Sequence, residues 1–341
     1  MYAVLDKQYA TGEKMHKTIM VTGGLGLIGH NVVAKLEKQG IEVVVVDNET
    51  NYGVLDTSEI KYLIEERKKK IQTKLIYNMD IGSKDIESLF KYHNIDAVIH
   101  CASLPRQKVV NANPCLGART MIEGLLNLCE LSKNNGVKRF VYISSSMVYG
   151  PFDNDVREDA VCSPEGQYGI MKLSGEWLVR DYFRKGAFNY TIIRPSAVYG
   201  PLDVEDRVIS KFILSAMRGT ILKVNGANET LDFTYVDDAA DGIVAAVLSP
   251  NAINRTYNIT KSHSVTLLSA AERIIRLVGS GQIECKGRDL DFPSRGSLNI
   301  DAARQDFGYD PKVDVDEGFV AYYNWLTNSE YWVNRLNTQT S

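Results

Sequence analysis

Tyr168 and Lys172 stand four residues apart in Tyr168-Gly-Ile-Met-Lys172. On a helix this spacing puts the phenol and the ammonium on one face, one turn apart. An ammonium held there favours the phenolate, so Tyr168 would take a proton from a sugar or alcohol hydroxyl near neutral pH. With 18 tyrosines in the chain, such a pair is expected about once by chance, and Tyr257 with Lys261 supplies a second. The pair carries meaning only where other residues converge on it. Three serines, Ser144 to Ser146, end an apolar run upstream, and a glycine-rich stretch, Thr22-Gly-Gly-Leu-Gly-Leu-Ile-Gly29, lies near the N-terminus.

The glycines follow a short apolar strand, Ile19 to Val21, and open a helix with apolar residues at Leu27, Ile28, Val32, Val33 and Leu36. Gly40 stops that helix, and a β-branched strand from Glu42 to Val46 ends in Asp47. Such a turn brings the backbone close to a pyrophosphate at a helix N-terminus, where free N–H groups and the helix dipole favour an anion. An acid about twenty residues on suits the adenosine ribose hydroxyls and repels a 2′-phosphate. The unit is read as a dinucleotide site for NAD rather than NADP.

Strand and helix then alternate. Leu75–Tyr77 runs to Asp80-Ile81 after a helix from Ser58 to Lys70, and Asp96–His100 ends in Cys101-Ala102-Ser103. A long amphipathic helix from Pro114 to Lys133 precedes Arg139–Ile143, which ends in the serines, and Tyr190–Arg194 follows the helix bearing Tyr168. This order predicts an α/β fold, a doubly wound parallel Rossmann sheet with ligands at the carboxyl ends of its strands. The glycine turn, Asp80, Ala102 and the serines all fall at those ends. After Pro195 the alternation fades into shorter elements: helices over Val208–Arg218, Asp237–Leu248 and Leu267–Val278, and strands over Phe233–Val236 and Thr256–Ile259. The expected organisation is a loose extension over 1–16, a cofactor domain over 17–195 with 233–260 returning to it, a smaller C-terminal substrate-binding lobe from 196–232 and 261–330, and a C-terminal tail over 331–341 that frays from Asn334 to Ser341.

A formal net charge of −3 over 341 residues gives no basic excess to hold nucleic acid or an anionic membrane. Arg67-Lys68-Lys69-Lys70 reads as a solvated helix end. The cysteines at 101, 115, 129, 162 and 285 are odd in number and lack a C-x-x-C pair, which fits a reducing cytoplasm and offers no metal site. No apolar run reaches membrane-spanning length.

Taken together, Thr22-Gly-Gly-x-Gly-x-x-Gly29, Asp47, Asp80-Ile81, Ser144-Ser-Ser-Met-Val-Tyr-Gly150, Tyr168-x-x-x-Lys172, Arg194-Pro-Ser-Ala-Val-Tyr-Gly-Pro201 and Asp232-Phe-Thr-Tyr-Val-Asp-Asp238 resemble the extended short-chain dehydrogenase/reductases of the NAD-dependent sugar epimerase/dehydratase type, of which UDP-galactose 4-epimerase is an example. The match runs from Lys17 to Leu326. The resemblance implies Tyr168 as base, Lys172 as the group that tunes it, and Ser145 as the hydrogen-bond partner of the same hydroxyl. It assigns the cofactor to Gly23, Gly26, Leu27, Ile28, Gly29, Asp47, Asn48, Asp80, Ile81, Cys101, Ala102, Ser103, Tyr168, Lys172, Pro195 and Val198. His100 is expected to support the pyrophosphate loop rather than move protons. A homodimer through a four-helix bundle is implied as well.

Where dehydratase relatives carry an acid and a base after the catalytic serine, this chain has Ser146 and Met147, and a thioether moves no proton. That leaves oxidation and re-reduction of a hydroxyl: epimerisation, most simply at C4, of a nucleotide-diphosphate sugar. The alternatives are a net dehydrogenase or reductase of a sugar or other alcohol, an NDP-sugar dehydratase with its base elsewhere, or a non-catalytic NAD sensor. Many relatives have Arg where Leu231 stands and Asn where Ala197 stands. Arg207, Lys211 and Arg295 are the cations that would compensate, with Ser146, Met147 and Ala197 beside them in the substrate site.

Overall fold

The computed structural model describes residues 17–50, 56–104 and 106–338. The expected N-terminal extension lies outside the described residues. The first half alternates as its sequence demands: β1 Thr18–Thr22, α1 Leu27–Lys38, β2 Glu42–Asp47, α2 Thr57–Lys69, β3 Ile76–Asn78, α3 Glu87–Tyr92 and β4 Ala97–His100. Next come α4 Gln107–Ala112, α5 Pro114–Ala118 and α6 Gly124–Asn134, then β5 Arg139–Ile143, α7 Gln167–Arg184 and β6 Asn189–Pro195. Single-residue alternation is absent from β1, β4 and β5, whose residues are buried throughout, because helices cover both faces of a parallel sheet.

The rest of the chain supplies β7 Val198–Tyr199, α8 Val208–Met217, β8 Ile221–Asn225, β9 Thr230–Asp232, β10 Thr234–Tyr235, α9 Val236–Leu248, β11 Arg255–Ile259, β12 Ser264–Thr266, α10 Leu267–Val278, β13 Gln282–Lys286, α11 Asp301–Phe307, α12 Val315–Asn328 and α13 Glu330–Thr338. The main sheet has seven parallel strands in the order β11-β6-β5-β4-β1-β2-β3. One face packs against Val32, Val33 and Leu36 of α1 and Ile243 and Val247 of α9, the other against Leu125 and Leu128 of α6 and Val179 of α7. A separate core holds α8, α10 and α12 around Phe212, Ile213, Ile274 and Phe319. There β8 pairs with β13 and β9 with β12, away from the main sheet.

The helix expected over Pro114–Lys133 is present and runs unbroken to Asn134, with a π turn at Arg119–Glu123. Two expectations need correction. Of the tail expected to fray, residues 334–338 are helical within α13, where Trp332 is buried and Arg335 pairs with both Asp56 and Glu205, and 339–341 lie outside the described residues. Arg67, taken as part of a solvated helix end, is 6% exposed. It extends the stripe Ile60, Leu63, Ile64 on the inward face of α2, while Lys68 to Lys70 stay outside. Its guanidinium donates to the carbonyls of Leu25 and Leu202, so it bolts the glycine turn to the turn after β7.

Candidate functional site

The strand ends of β1, β2, β4, β5 and β6 open into one cavity of about 1230 Å³. Its wall on the main-sheet side is the glycine turn. Gly23, at φ +65°, approaches the end of β4 so closely that a Cβ would lie 2.6 Å from the Ala102 nitrogen. A Cβ on Gly29 would lie 2.1 Å from the Gly23 carbonyl. Gly26 caps α1 with no side-chain hydrogen bond, so the first amides of a 12-residue helix face the cavity with Leu27 and Ile28. Asp47 accepts the amides of Leu25 and Glu49, both at 2.9 Å, and burial raises its pKa. Cys101, Ser103, Pro195 and Val198 line the same space. Asn48 donates to Asp80 at 2.9 Å. Asn48, Asp80, Ile81 and Ala102 stand outside the cavity lining, with Ile81 packed against Gly124. A bare helix N-terminus, glycines that tolerate no Cβ and a carboxylate at the end of β2 fit a dinucleotide.

The reacting pair sits across from this turn. Tyr168 and Lys172 lie on the inward face of α7, and Lys172 donates to the Ile143 carbonyl at 2.8 Å. The Lys172 ammonium is 5.3 Å from the Tyr142 ring centroid and 5.9 Å from that of Tyr168. Burial lowers Lys172 to about 8, with Cys101 and Glu176 acting in the opposite sense. Burial raises Tyr168, while the Arg207 charge and the neighbouring Ser145 hydroxyl act against that rise. Ser145 also caps the short turn after β5, accepting the Met147 amide at 3.2 Å. His100 is fully enclosed and pushed down to about 3 by burial and then Lys172, so it is a neutral ring bonded to Thr22 Oγ1 at 2.8 Å. Tyr257 belongs to β11 and bonds Asp306, far in role from Lys261, which pairs with Asp314.

The opposite wall is built differently. Met147 is buried and receives Arg295 Nη1 at 3.5 Å from its sulfur. Arg295 is half-buried, with Nε enclosed and unbonded, and it makes no ion pair among the described residues. Burial lowers it to about 10. Ser146 bonds Ser196 at 3.2 Å. Ala197 takes φ +37°, a left-handed conformation that Asn tolerates better than Ala. Arg207 lies 3.9 Å from Asp203, and Lys211 pairs with Asp206.

Several contributors escaped sequence reading. Arg106 pairs with Asp206, Lys108 with Asp289 at 2.7 Å, and Gln107 donates to the Asp291 carbonyl. The last two contacts join α4 to the loop after β13, and the first joins the residue before α4 to the segment ahead of α8. They show no local pattern because the partners lie far along the chain. Glu176 was findable, since it continues the Tyr168, Lys172 face by one more turn.

With this geometry in place, the likenesses to known proteins become informative. The family model "NAD dependent epimerase/dehydratase family" matches residues 19–260. A UDP-glucuronate 4-epimerase of Thermodesulfobacterium geofontis is 30% identical over 317 residues, 90% of this chain and 95% of that one. The structure of UDP-glucuronic acid 4-epimerase from Bacillus cereus, in complex with UDP-glucuronic acid and NAD, superposes with a TM-score of 0.83 at 27% identity, covering 90% and 98% of the two chains. UDP-glucose 4-epimerase from Thermotoga maritima, with UDP-glucose, gives 0.82 at 26% identity over 91% and 98%.

Proposed function

The chain belongs to the NAD-dependent epimerase/dehydratase family, and on that premise we propose that it is an NAD-dependent 4-epimerase of a UDP-hexose or UDP-hexuronate. The observation that carries this reading is the convergence of Ser145, Tyr168 and Lys172 opposite the glycine turn, with Met147 where elimination would need an acid or base. Among the described residues no helix is long and apolar enough to cross a membrane.

Gly23, Gly26 to Gly29 and Asp47 would hold the pyrophosphate and ribose, with Lys172 and Tyr168 beside the nicotinamide ribose. When bound, NAD would supply the hydride acceptor for C4 and, on return to the other face of the ketone, the hydride donor. Tyr168 takes the C4 hydroxyl proton on its phenolate oxygen and gives it back after the ketone has turned. Ser145 holds that oxygen in line with Tyr168; burial raises the phenol, and the Arg207 charge and the Ser145 hydroxyl, with the Lys172 ammonium 5.9 Å from its ring, are the groups that would favour the phenolate. Arg295, Arg207 and Lys211 would meet the diphosphate, and Ser146, Met147 and Ala197 would meet the sugar. Residues 17–195 with 233–260 form the cofactor half of this reading, and 196–232 with 261–330 the substrate half.

Trp177 and Ile170, seven residues apart and both exposed on α7, support a homodimer built through α6 and α7. Five free thiols suit a cytoplasmic enzyme.

The test is a thermal-shift panel of UDP-, GDP-, CDP- and dTDP-sugars on NAD-loaded protein, followed by NMR of the products. The expected outcome is stabilisation by UDP-sugars and an equilibrium mixture of C4 epimers without net NADH. Stoichiometric NADH would make the protein a dehydrogenase, and stabilisation by none of them would sink the nucleotide-sugar reading.

A further inference from the structure

Beneath the reacting pair lies a buried charged cluster that the proposed chemistry does not itself use. Glu176 is fully buried on α7, one turn beyond Lys172. Its Oε1 accepts from Ser144 Oγ at 2.6 Å and Arg194 Nε at 2.9 Å, and its Oε2 from Arg194 Nη2 at 2.7 Å and Arg180 Nη1 at 3.2 Å. Arg194 is next to last in the neighbouring strand β6 and also donates to the Tyr149 hydroxyl and the Glu158 carbonyl.

Ser144 is the informative member. It stands between Ile143, whose carbonyl takes the Lys172 ammonium, and Ser145. Its own amide donates to the Ile193 carbonyl at 2.7 Å. One carboxylate therefore ties the end of β5 to the same helix face that presents Tyr168 and Lys172. A buried ion pair is a weak source of stability, since apolar residues of similar volume often serve the fold as well. Its placement here has a positional consequence instead.

We propose that Glu176 is a positioning residue for the Tyr168–Lys172 pair, holding the end of β5 against α7 through Ser144 and setting the electrostatic field at Lys172. This rests on the reading that Tyr168 and Lys172 react. The groups facing Lys172 are Tyr168 and Glu176 on α7, Tyr142 on β5, and His100 and Cys101 at the end of β4. Those facing Glu176 are Ser144, Tyr142, Arg180, Arg194 and Cys162. Near pH 7, His100 is neutral, and the Cys101 thiol, pushed up to about 12 by burial, is protonated. Glu176, held in an ion pair with Arg194 at 2.7 Å, is then the carboxylate of the set around Lys172. Removing it favours loss of the ammonium proton, so the alkaline limb of turnover moves to lower pH.

The experiment uses the full chain loaded with NAD, as wild type, Glu176→Gln and Ser144→Ala. Lys172 is titrated by NMR of labelled lysine, and turnover is followed against pH with UDP-glucuronate and UDP-glucose. Glu176→Gln is expected to raise the acid constant of Lys172 about tenfold and to lower kcat about 10–100-fold. Ser144→Ala is expected to lower kcat about tenfold while Lys172 titrates as in wild type, because the charge remains. A lowered Tm with an unmoved Lys172 titration in Glu176→Gln would make the cluster a structural ion pair and overturn the proposal. Should Glu176→Gln fail to fold, Ser144→Ala decides, and wild-type kcat in that variant overturns it. A wild type inert towards every nucleotide sugar would instead remove the parent reading, leaving the Lys172 titration to decide this one.

Discussion

The two walls of the cavity are finished to different degrees. On the main-sheet side, Asp47, His100, Ser145 and Lys172 each have protein partners at hydrogen-bonding distance. On the opposite side, Arg106 Nη2, Gln107 Oε1, Asp203 Oδ2 and Arg295 Nε are enclosed without one among the described residues. Buried polar groups are ordinarily bonded, and each exception asks for an explanation. The difference teaches that the first wall is organised before any ligand arrives, whereas the second keeps both donors and acceptors that a ligand can meet. A pre-organised wall suits groups that must meet a transition state, and an unsatisfied one suits binding.

The largest expected effects fall on the organised wall. Tyr168→Phe removes the base and should lower kcat by about 10²–10⁴-fold while NAD stays bound, as measured by turnover and by cofactor content after gel filtration. Turnover near wild type would break the contrast at its centre. Gly29→Ala should lose NAD altogether, since the new methyl meets the Gly23 carbonyl at 2.1 Å; isothermal titration with NAD checks this.

On the other wall, Arg295→Met should raise KM for the nucleotide sugar about 10–100-fold, as expected when about 1.5–3 kcal/mol of charge-assisted bonding is lost. Tm should hold or rise, because an unpaired guanidinium has been replaced by an apolar side chain. A lower Tm would mean that Arg295 supports the fold, and the contrast would weaken.

The organised wall also carries a pH signature. His30 and His100 are both held near 3, His30 by burial and then Arg67, His100 by burial and then Lys172. Between that value and the ordinary histidine pKa of about 6.5, the unfolded state binds more protons than the folded one. Stability therefore falls as pH drops below about 6.5, by up to roughly 1.4 kcal/mol per pH unit for each histidine. Urea unfolding at pH 7.5 and 5.5 measures it; equal stability at the two values would refute the neutral-histidine description. The smallest effect belongs to Ala197→Asn, which should relieve the left-handed backbone by about 1 kcal/mol and raise Tm by a few degrees.

What the sequence revealed divides along the same line. The parallel strands, the glycine turn and the Tyr168–Lys172 face were legible because each is a local pattern: a β-branched run, a glycine spacing, one helical turn. Arg67 misled because it sits among lysines, although the spacing of Ile60, Leu63 and Ile64 already pointed it inward. The β8–β13 pair was missed because Gln282–Lys286 is largely exposed and gains its order from a partner about sixty residues away. Helix α13 was missed for a like reason, since Tyr331 stacks on Tyr62 at 4.3 Å and Arg335 reaches Asp56. Lys108 and Asp289 meet only after both halves have folded.

The return of β11 to the edge of the main sheet has a consequence for how the chain is made. A ribosome must deliver residue 259 before β6 can acquire its outer neighbour. Residue Arg139, buried in β5, donates to the carbonyls of Ala246, Val247 and Ser249, so the sheet also waits for the end of α9. Until then the nascent sheet presents an open edge, and the Arg139 guanidinium, which bonds Thr191 Oγ1 of β6, still lacks its α9 carbonyls; an open edge is the kind of surface that recruits neighbouring chains. A fragment ending at residue 195 is therefore expected to aggregate rather than fold as a free-standing nucleotide-binding unit.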